Sequence, residues 1–434
     1  MSKFDFEHMS KQDDSVNKRA GHVAVAHKGR AFVWGGYMDF RFDQYWSSGE
    51  IWMYNSLTQT WTNKRTYGDI PSKCSDAAAT VMEDTMYVLA GFHKIDVSMR
   101  SLRENSGSLS NDDSNHASDF SSDEEDESFG HMVSSEEISN TIWSLDLNTF
   151  TWVKLEPQGD PPLRCYNTAC WTYDDKVYLF GGFGAPPSAS QVDKIGTLFE
   201  FCEDPTIDSG YGSYTRGWSN QLVVYNTSTN KWEWPVCSGK APSPRFAHSV
   251  CVVGTTAYVF GGRHLDTRLN DLYCLDLLSL QWSCLVPNID TFDVPVGRSH
   301  QTMTSISTGK KEGGLIIYGG FDNNSDTLGD CWRMDLTQQP YTWIRCSHLE
   351  LGHRLWHAAV ELDSSQVMII GGLTNTLANA DKVLYLRVAP PSLLKMCLEF
   401  ITKHRDLFNK EVEELPLSLK RIVKIRCSLS ILKV

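Results

Sequence analysis

The stretch "RFAHSVCVVGTTAYVFGGRHLDTRLNDLYCLDLLSLQW" (245–282) decides the fold. It opens with an arginine and an apolar run, turns at "GTT", and climbs through "AYVF" to a glycine pair. A polar loop follows, then the alternating run "DLYCLDL", a second turn and a tryptophan. Apolar residues recurring every second position, bounded by turn residues, predict short strands. The glycine pair lets the chain leave a crowded inner strand where a side chain would clash.

The pattern repeats. The glycine step recurs as "AFVWGGY" (31–37), "MYVLAGF" (86–92), "VYLFGGF" (177–183), "AYVFGGR" (257–263), "LIIYGGF" (315–321) and "VMIIGGL" (367–373), with Ala90 replacing one glycine. The arginine-led strand recurs as "RAGHVAVA" (19–26), "RCYNTACW" (164–171), "RSHQTMTS" (298–305) and "RLWHAAVE" (354–361). The tryptophan-ended strand recurs as "EIWMYNSLTQTW" (50–61), "IWSLDLNTFTW" (142–152), "LVVYNTSTNKW" (222–232) and "CWRMDLTQQPYTW" (331–343). Units of about 50 residues, each too small to bury its own faces, must stack. Arginine, Gly-Gly and tryptophan in fixed order resemble the kelch repeat. The resemblance runs from residue 19 to about 389 and implies an all-β, six-bladed kelch β-propeller. The last unit ends at "KVLYLRVAPP" (382–391) without its tryptophan strand. A ring must close or leave an open edge, so residues 1–18 are expected to supply the missing strand through "KFDFEHM" (3–9).

Two units carry inserts. The first, about 96–137, contains "NDDSNHASDFSSDEEDES". Eleven acidic residues and no Lys or Arg fall in 104–137. Dense like charge with little apolar surface predicts disorder. Ser121 and Ser122 precede acids, so the segment reads either as a phosphorylated element or as a plain loop. The second insert, about 184–219, is aromatic and is expected to be ordered over one blade.

Composition excludes several classes. Almost all of the net charge of −13 lies in the acidic insert, so no basic field suited to nucleic acid remains. No run of about 18 apolar residues suggests a membrane helix, and the first residues show no secretory signal. The 12 cysteines are scattered without a C-x-x-C pair, which predicts reduced thiols in the nucleus or cytoplasm, without metal or other cofactor. Metal-dependent oxidation would need His, Tyr or carboxylate clusters at one rim. The rim histidines open separate blades instead, so no enzyme is expected.

Only one glycine step is followed by arginine. Its sisters have Tyr37, Phe92, Phe183, Phe321 and Leu373 where this one has Arg263. Arg268 lies in the same loop. The start of a first strand and the end of a second share one rim, so Ser299 from the next blade converges on both arginines. Phe183 joins from the other side, Trp218 reaches over from the ordered insert, and Trp356 with His357 opens blade six on that rim. Two guanidinium groups in a partly dry pocket require an anion. A ligand carboxylate would be one, since Arg donates in bidentate fashion and a serine adds a third donor. The other reading is internal neutralisation, with Asp266 or Asp271 as partner.

After "VAPP" the period changes. "SLLKMCLEFITKHRDLFNK" (392–410) and "LPLSLKRIVKI" (415–425) predict two amphipathic helices, forming a tail over 390–434. Ser392-Leu393-x-x-x-Cys397-x-x-x-Ile401 resembles the BC box that binds Elongin B–Elongin C. Leu415-Pro416-x-x-Leu419-x-x-x-Val423 resembles the cullin-2 box. Propeller and tail together resemble the kelch-repeat substrate receptors of cullin-2/Elongin B–C ubiquitin ligases, the group of kelch domain-containing proteins 1 and 2. The resemblance implies a substrate-recognition subunit without its own catalytic site, acting in protein degradation on proteins with a C-terminal diglycine degron. Its partners would be Elongin B–Elongin C, cullin-2 with its RING subunit, and substrates with an exposed C-terminal glycine. Arg263, Arg268 and Ser299 would bind the terminal carboxylate. Trp218, Phe183, Asn167, His300 and Trp356 would wall the pocket. Leu393, Cys397 and Ile401 would meet Elongin C, and Leu415, Pro416, Leu419 and Val423 would select the cullin. The chain departs from that pattern at Phe183 (tyrosine in the group), Asn167 (lysine) and His300 (tryptophan). A non-catalytic scaffold for cytoskeletal or small-GTPase partners is the rival function, and the tail argues against it.

Overall fold

Each repeat folds into four antiparallel strands in chain order. In blade 4, Ser249–Val253 pairs with Thr256–Phe260, which pairs with Leu272–Asp276, which pairs with Gln281–Val286. Blades 1, 2 and 3 repeat this order with inner strands Val23–His27, Ala78–Met82 and Ala169–Tyr173, and blades 5 and 6 with Thr302–Ile306 and Ala358–Asp363. The computed structural model describes the chain except residues 1–5, 9–15, 17, 40–43, 96–134, 207–214, 289–292, 307–312, 338, 347–351 and 432–434. Inner strands of adjacent blades touch around the whole circle, with Val23–His27 against both Ala78–Met82 and Ala358–Asp363. The result is a closed six-bladed propeller.

The tryptophans pack between blades. Trp152 lies 5.1 Å from Trp34 of the preceding blade, Trp282 lies 5.1 Å from Phe180, and Trp343 lies 5.4 Å from Phe260. Each buries apolar area that one blade could not cover alone. The glycine pair is sterically required. At Gly262 (φ 93°) an added Cβ would sit 2.8 Å from the His248 Cβ. Ala90 occupies the first glycine place at φ 61° and so tolerates a conformation most residues avoid.

Phe6–His8 pairs antiparallel with Leu384–Leu386 and fills the fourth-strand place of blade 6. The acidic stretch expected to be disordered lies outside the described residues up to 134. From Ser135 the chain is a strand, and Ser135–Ile138 pairs with Phe92–Ile95. The second insert contributes a helix, α1 (Ala189–Ile195), and the strands Phe201–Glu203 and Gly217–Ser219. The tail holds α2 (Leu393–Lys403), α3 (Asn409–Glu414) and α4 (Leu417–Ile431). The expected first helix to residue 410 is therefore broken, and α3 escaped the periodicity argument because it is barely two turns long.

Removal of residues 1–12 takes away the three-residue strand that covers the edge Leu384–Arg387. At roughly 1 kcal/mol per ladder bond, the loss is about 2–4 kcal/mol. Urea unfolding of the truncated chain checks this, and an unchanged midpoint would show the strand to be dispensable.

Candidate functional site

The axis of the propeller is organised by the backbone. Gly21, Asp76, Asn167, Ala247, His300 and Trp356 occupy one equivalent place per blade, all with φ between 50° and 63°. Each donates its N–H to the carbonyl of the equivalent residue one blade back: Asp76 to Gly21, Asn167 to Asp76, Ala247 to Asn167, His300 to Ala247, Trp356 to His300, and Gly21 to Trp356. Outside this circle runs a second one in the opposite sense. The second glycine of each pair donates to the next blade: Gly36 to Cys74, Gly91 to Cys165, Gly182 to Arg245, Gly262 to Arg298, Gly320 to Arg354, and Gly372 to Arg19.

The arginine that opens a repeat is a strut. Arg245 and Arg298 are fully buried and donate to the first-glycine carbonyls Gly261 (2.9 Å) and Gly319 (3.0 Å) of their own blades. Arg19 does the same to Gly35 at 3.3 Å. Asp271 holds Arg245 through both oxygens (2.6 and 3.0 Å), and Asp330 holds Arg298 likewise (2.7 and 2.9 Å). Cys74 and Cys165 take the arginine place in blades 2 and 3. There the donors are His93 to Ala90 (3.2 Å) and Gln221 to Gly181 (3.2 Å). The "RCYN" copy is thus displaced by one residue: Arg164 is half-exposed and pairs with Glu137.

Arg263 and Arg268 differ from these struts. Arg263–His264 and Thr267–Arg268 form a two-stranded ribbon in which the two arginines stand directly opposite each other. Side chains so placed share one face about 5 Å apart, and like charges there repel. Arg268 Nε donates to Ser299 Oγ at 3.1 Å, and its guanidinium lies 4.6 Å above the Phe321 ring. Burial and the charge of Arg263 both lower its pKa. Asp271 does not neutralise the pair, because Arg245 engages both of its oxygens. Asp266 meets Arg263 at 3.5 Å, but its side chain is 91% exposed, so that contact is worth little. The buried Asp322 lends Arg268 some opposing charge, but among the described residues no buried carboxylate makes an ion pair with either guanidinium group.

Ser299 passes the contact inward. Its hydroxyl accepts from Arg268 and lies 3.2 Å from His300 Nδ1. Burial, then Arg268 and Arg263, push His300 down to about 3. The imidazole is therefore neutral at neutral pH. The ring stands edge-on between Phe246 (5.8 Å) and Trp356 (5.2 Å). Phe183 is opposite Trp218 in the rim sheet, with ring centroids 5.0 Å apart. Phe246, Tyr166 and Phe92 extend the aromatic lining. Asn167, His300 and Trp356 also line a cavity of about 110 Å³ on the axis, with His22, Asp76, His248 and His357.

The expected residues therefore fall into two neighbouring groups. Arg263, Arg268, Ser299 and His300 are brought together, as are Phe183 and Trp218. Asn167 sits on the axial ring rather than beside the arginines. Phe246 and Phe321 were missed. Phe246 follows Arg245 as Ser299 follows Arg298, and alignment of those two copies gives it away. Phe321 is the blade-5 counterpart of Arg263.

In the tail, Leu393 (73% exposed), Cys397 and Phe400 face outward on α2. Ile401 and Val423, expected to meet Elongin C and the cullin, pack within the tail itself. Val423 is buried in the tail's own core with Leu398, Val412 and Cys427, and Ile401 and Leu415 pack against that core. Steps of four residues drift around a 3.6-residue helix, so Ile401 rotates away from Leu393. Pro416 is exposed and Leu419 partly buried. Lys395 reaches Gln366 (2.8 Å) and Asp363 (3.4 Å) of blade 6, while Arg426 donates to the Leu57 carbonyl of blade 1 at 2.5 Å.

Comparison with known proteins gives four findings. The family profile described as "KLHDC2/KLHL20/DRC7 Kelch-repeats domain" matches residues 209–384. The Bos taurus Kelch domain-containing protein 2 is 30% identical over 420 residues, covering 94% of this chain and 90% of the relative. The Mus musculus Kelch domain-containing protein 1 is 28% identical over 414 residues, covering 92% and 88%. A solved structure described as "Structure of YjhT" superposes with a TM-score of 0.55 at 15% identity, over 85% of this chain and 94% of that one, and supports the fold.

The axial histidines predict acid sensitivity. Burial holds His248, His300 and His357 at about 3, and His22 well below its ordinary value. Unfolding lets each bind a proton near pH 6.5, so stability present above that pH is lost as pH falls toward 3. Each such imidazole costs about 1.4 kcal/mol per pH unit in that window. Denaturant midpoints at pH 7.5 and pH 5 check the slope, and His300→Gln should make it shallower.

Proposed function

Because the chain belongs to the kelch family of Kelch domain-containing proteins 1 and 2, we propose that it is the substrate-recognition subunit of a cullin-RING ubiquitin ligase. Its rim captures the free C-terminus of a substrate ending in glycine. The observation that carries this reading is the facing pair Arg263 and Arg268, joined by Ser299 and, among the described residues, in ion-pair contact with no buried carboxylate. A terminal carboxylate supplies the missing charge and two planar acceptors for the guanidinium forks. The aromatic wall of Phe183, Trp218 and Phe246 leaves apolar surface for a peptide backbone and no polar partner for a long terminal side chain. Glycine fits such a floor because larger residues clash.

The tail supports the recruiting half of the proposal. Leu393, Met396, Cys397 and Phe400 form an exposed apolar strip on α2, suited to burial in Elongin C. Pro416 and Leu417 lie outward at the start of α4 and suit the cullin-2 contact. Lys395 and Arg426 hold the tail to the propeller. Substrate and ligase would then be presented by one continuous body.

Peptide binding tests the rim. A peptide ending in Gly-Gly should bind, and the same peptide amidated should lose most of its affinity; equal affinities would exclude carboxylate capture. Arg263→Ala or Arg268→Ala should each cost about 2–5 kcal/mol of binding, the range for removing one partner of a buried charge pair. Leu393→Ala combined with Cys397→Ala should abolish co-purification with Elongin B–Elongin C while leaving the melting temperature unchanged. Ile401→Ala should instead lower the melting temperature, because it opens the tail's core.

A further inference from the structure

Blade 5 holds two cysteines on facing strands. Leu315 to Tyr318 pairs with Cys331 to Met334, and that strand pairs with the short outer strand Trp343–Arg345. Trp332 is opposite Arg345, so one step outward Cys331 is opposite Cys346. The Cys346 N–H donates to the Cys331 carbonyl at 2.9 Å. Directly opposed residues of this kind have Cα atoms about 5.5 Å apart, in the middle of the roughly 4.4–6.8 Å that a disulfide spans. Both are free thiols.

We propose that Cys331 and Cys346 form a reversible cross-strand disulfide in response to a hydroperoxide. The two thiols have unequal environments. Cys331 is buried in the core with Tyr318 and Ile316, whereas Cys346 packs against that core from a half-buried position. A hydrogen bond from Cys331, helped by the charge of Arg333, lowers the Cys346 thiol, while the same bond and burial raise Cys331. Cys346 is therefore the attacking thiolate. Its sulfur takes the distal oxygen of the peroxide, the O–O bond breaks, and a sulfenic acid and hydroxide result. The Cys331 sulfur then displaces the sulfenic oxygen as water. Overall two thiols and one hydrogen peroxide give one disulfide and two waters.

No other pair shares this geometry in the described sheets. Cys274 is opposite Ser283, and Cys284 is opposite Tyr273, so their side chains leave opposite faces. Burial raises Cys74, Cys170 and Cys251 well above the ordinary thiol range, which keeps them inert. Cys284 and Cys397 are exposed, and neither has an opposed thiol in these sheets. The disulfide would fasten the outermost strand of blade 5, three residues long, to the strand inside it.

The test uses the full chain treated with hydrogen peroxide, quenched by alkylation and mapped as peptides without reduction. The expected first product links Cys331 to Cys346, lacks two hydrogen masses, reverts with dithiothreitol, and appears about tenfold faster than oxidation of Cys284 or Cys397. The oxidised protein should melt at a higher temperature than the reduced one. Cys346→Ser, a change at a half-buried site, should remove the link and leave Cys331 as a thiol. A first disulfide elsewhere, or Cys346 proceeding to sulfinic acid while Cys331 remains a thiol, would overturn the proposal.

Discussion

Two concentric circles of six peptide hydrogen bonds hold the propeller together at its axis. They run in opposite senses, so each blade donates to one neighbour in the inner circle and to the other in the outer circle. The inner circle demands a left-handed residue in every blade, and the outer circle demands a backbone that can approach within van der Waals contact. These are backbone demands, which is why the six occupants of the inner circle range from glycine to tryptophan. Their side chains are free of the closure task and can line a cavity or a rim. Diversity of the binding surface and constancy of the ring come from the same device.

The structure separates two roles that arginine plays a few residues apart. Arg245 and Arg298 are enclosed, each held by a carboxylate and a glycine carbonyl. Arg263 and Arg268 face each other beside a hydroxyl and a benzene ring, with Asp266 exposed and Asp322 acting only at a distance. Removal of a strut would leave the buried Asp271, or the half-buried Asp330, without its guanidinium partner, which is expensive. Loss of a rim arginine relieves repulsion in the free protein. The energetic asymmetry distinguishes a group that serves the fold from one that the fold does not require.

Much of this was legible in the sequence. The Gly-Gly step, the leading arginine and the closing tryptophan gave the number of blades, because packing between blades imposes all three. The exceptional Arg263 stood out because five sister repeats lack it. The struts' carboxylates were less legible. Asp271 looked available to Arg268 along the chain, and only the fold shows Arg245 arriving from another strand. Blade 3 misled by one residue, since Arg164 mimics a strut that Gln221 and Cys165 replace. In the tail, helical spacing placed Leu393, Cys397 and Ile401 on one face. The angular drift of the helix and the core built by α4 divide them. Periodicity locates a face, but it cannot say which neighbour will cover it.

The closing strand has a consequence for how the molecule is made. Phe6–His8 must find Leu384–Leu386, about 380 residues later in the chain. At a synthesis rate of roughly 5–20 residues per second, the first strand waits about 20–75 seconds for its partner to leave the ribosome. Until then every finished blade remains part of an open arc with two raw edges. The latches Lys395 and Arg426 are made later still, and they fasten to the two blades that meet at the seam. A chain that stops before Leu384 therefore lacks both the seam and the tail helices. The seam and the tail that fastens across it are thus the last parts of the molecule to be made.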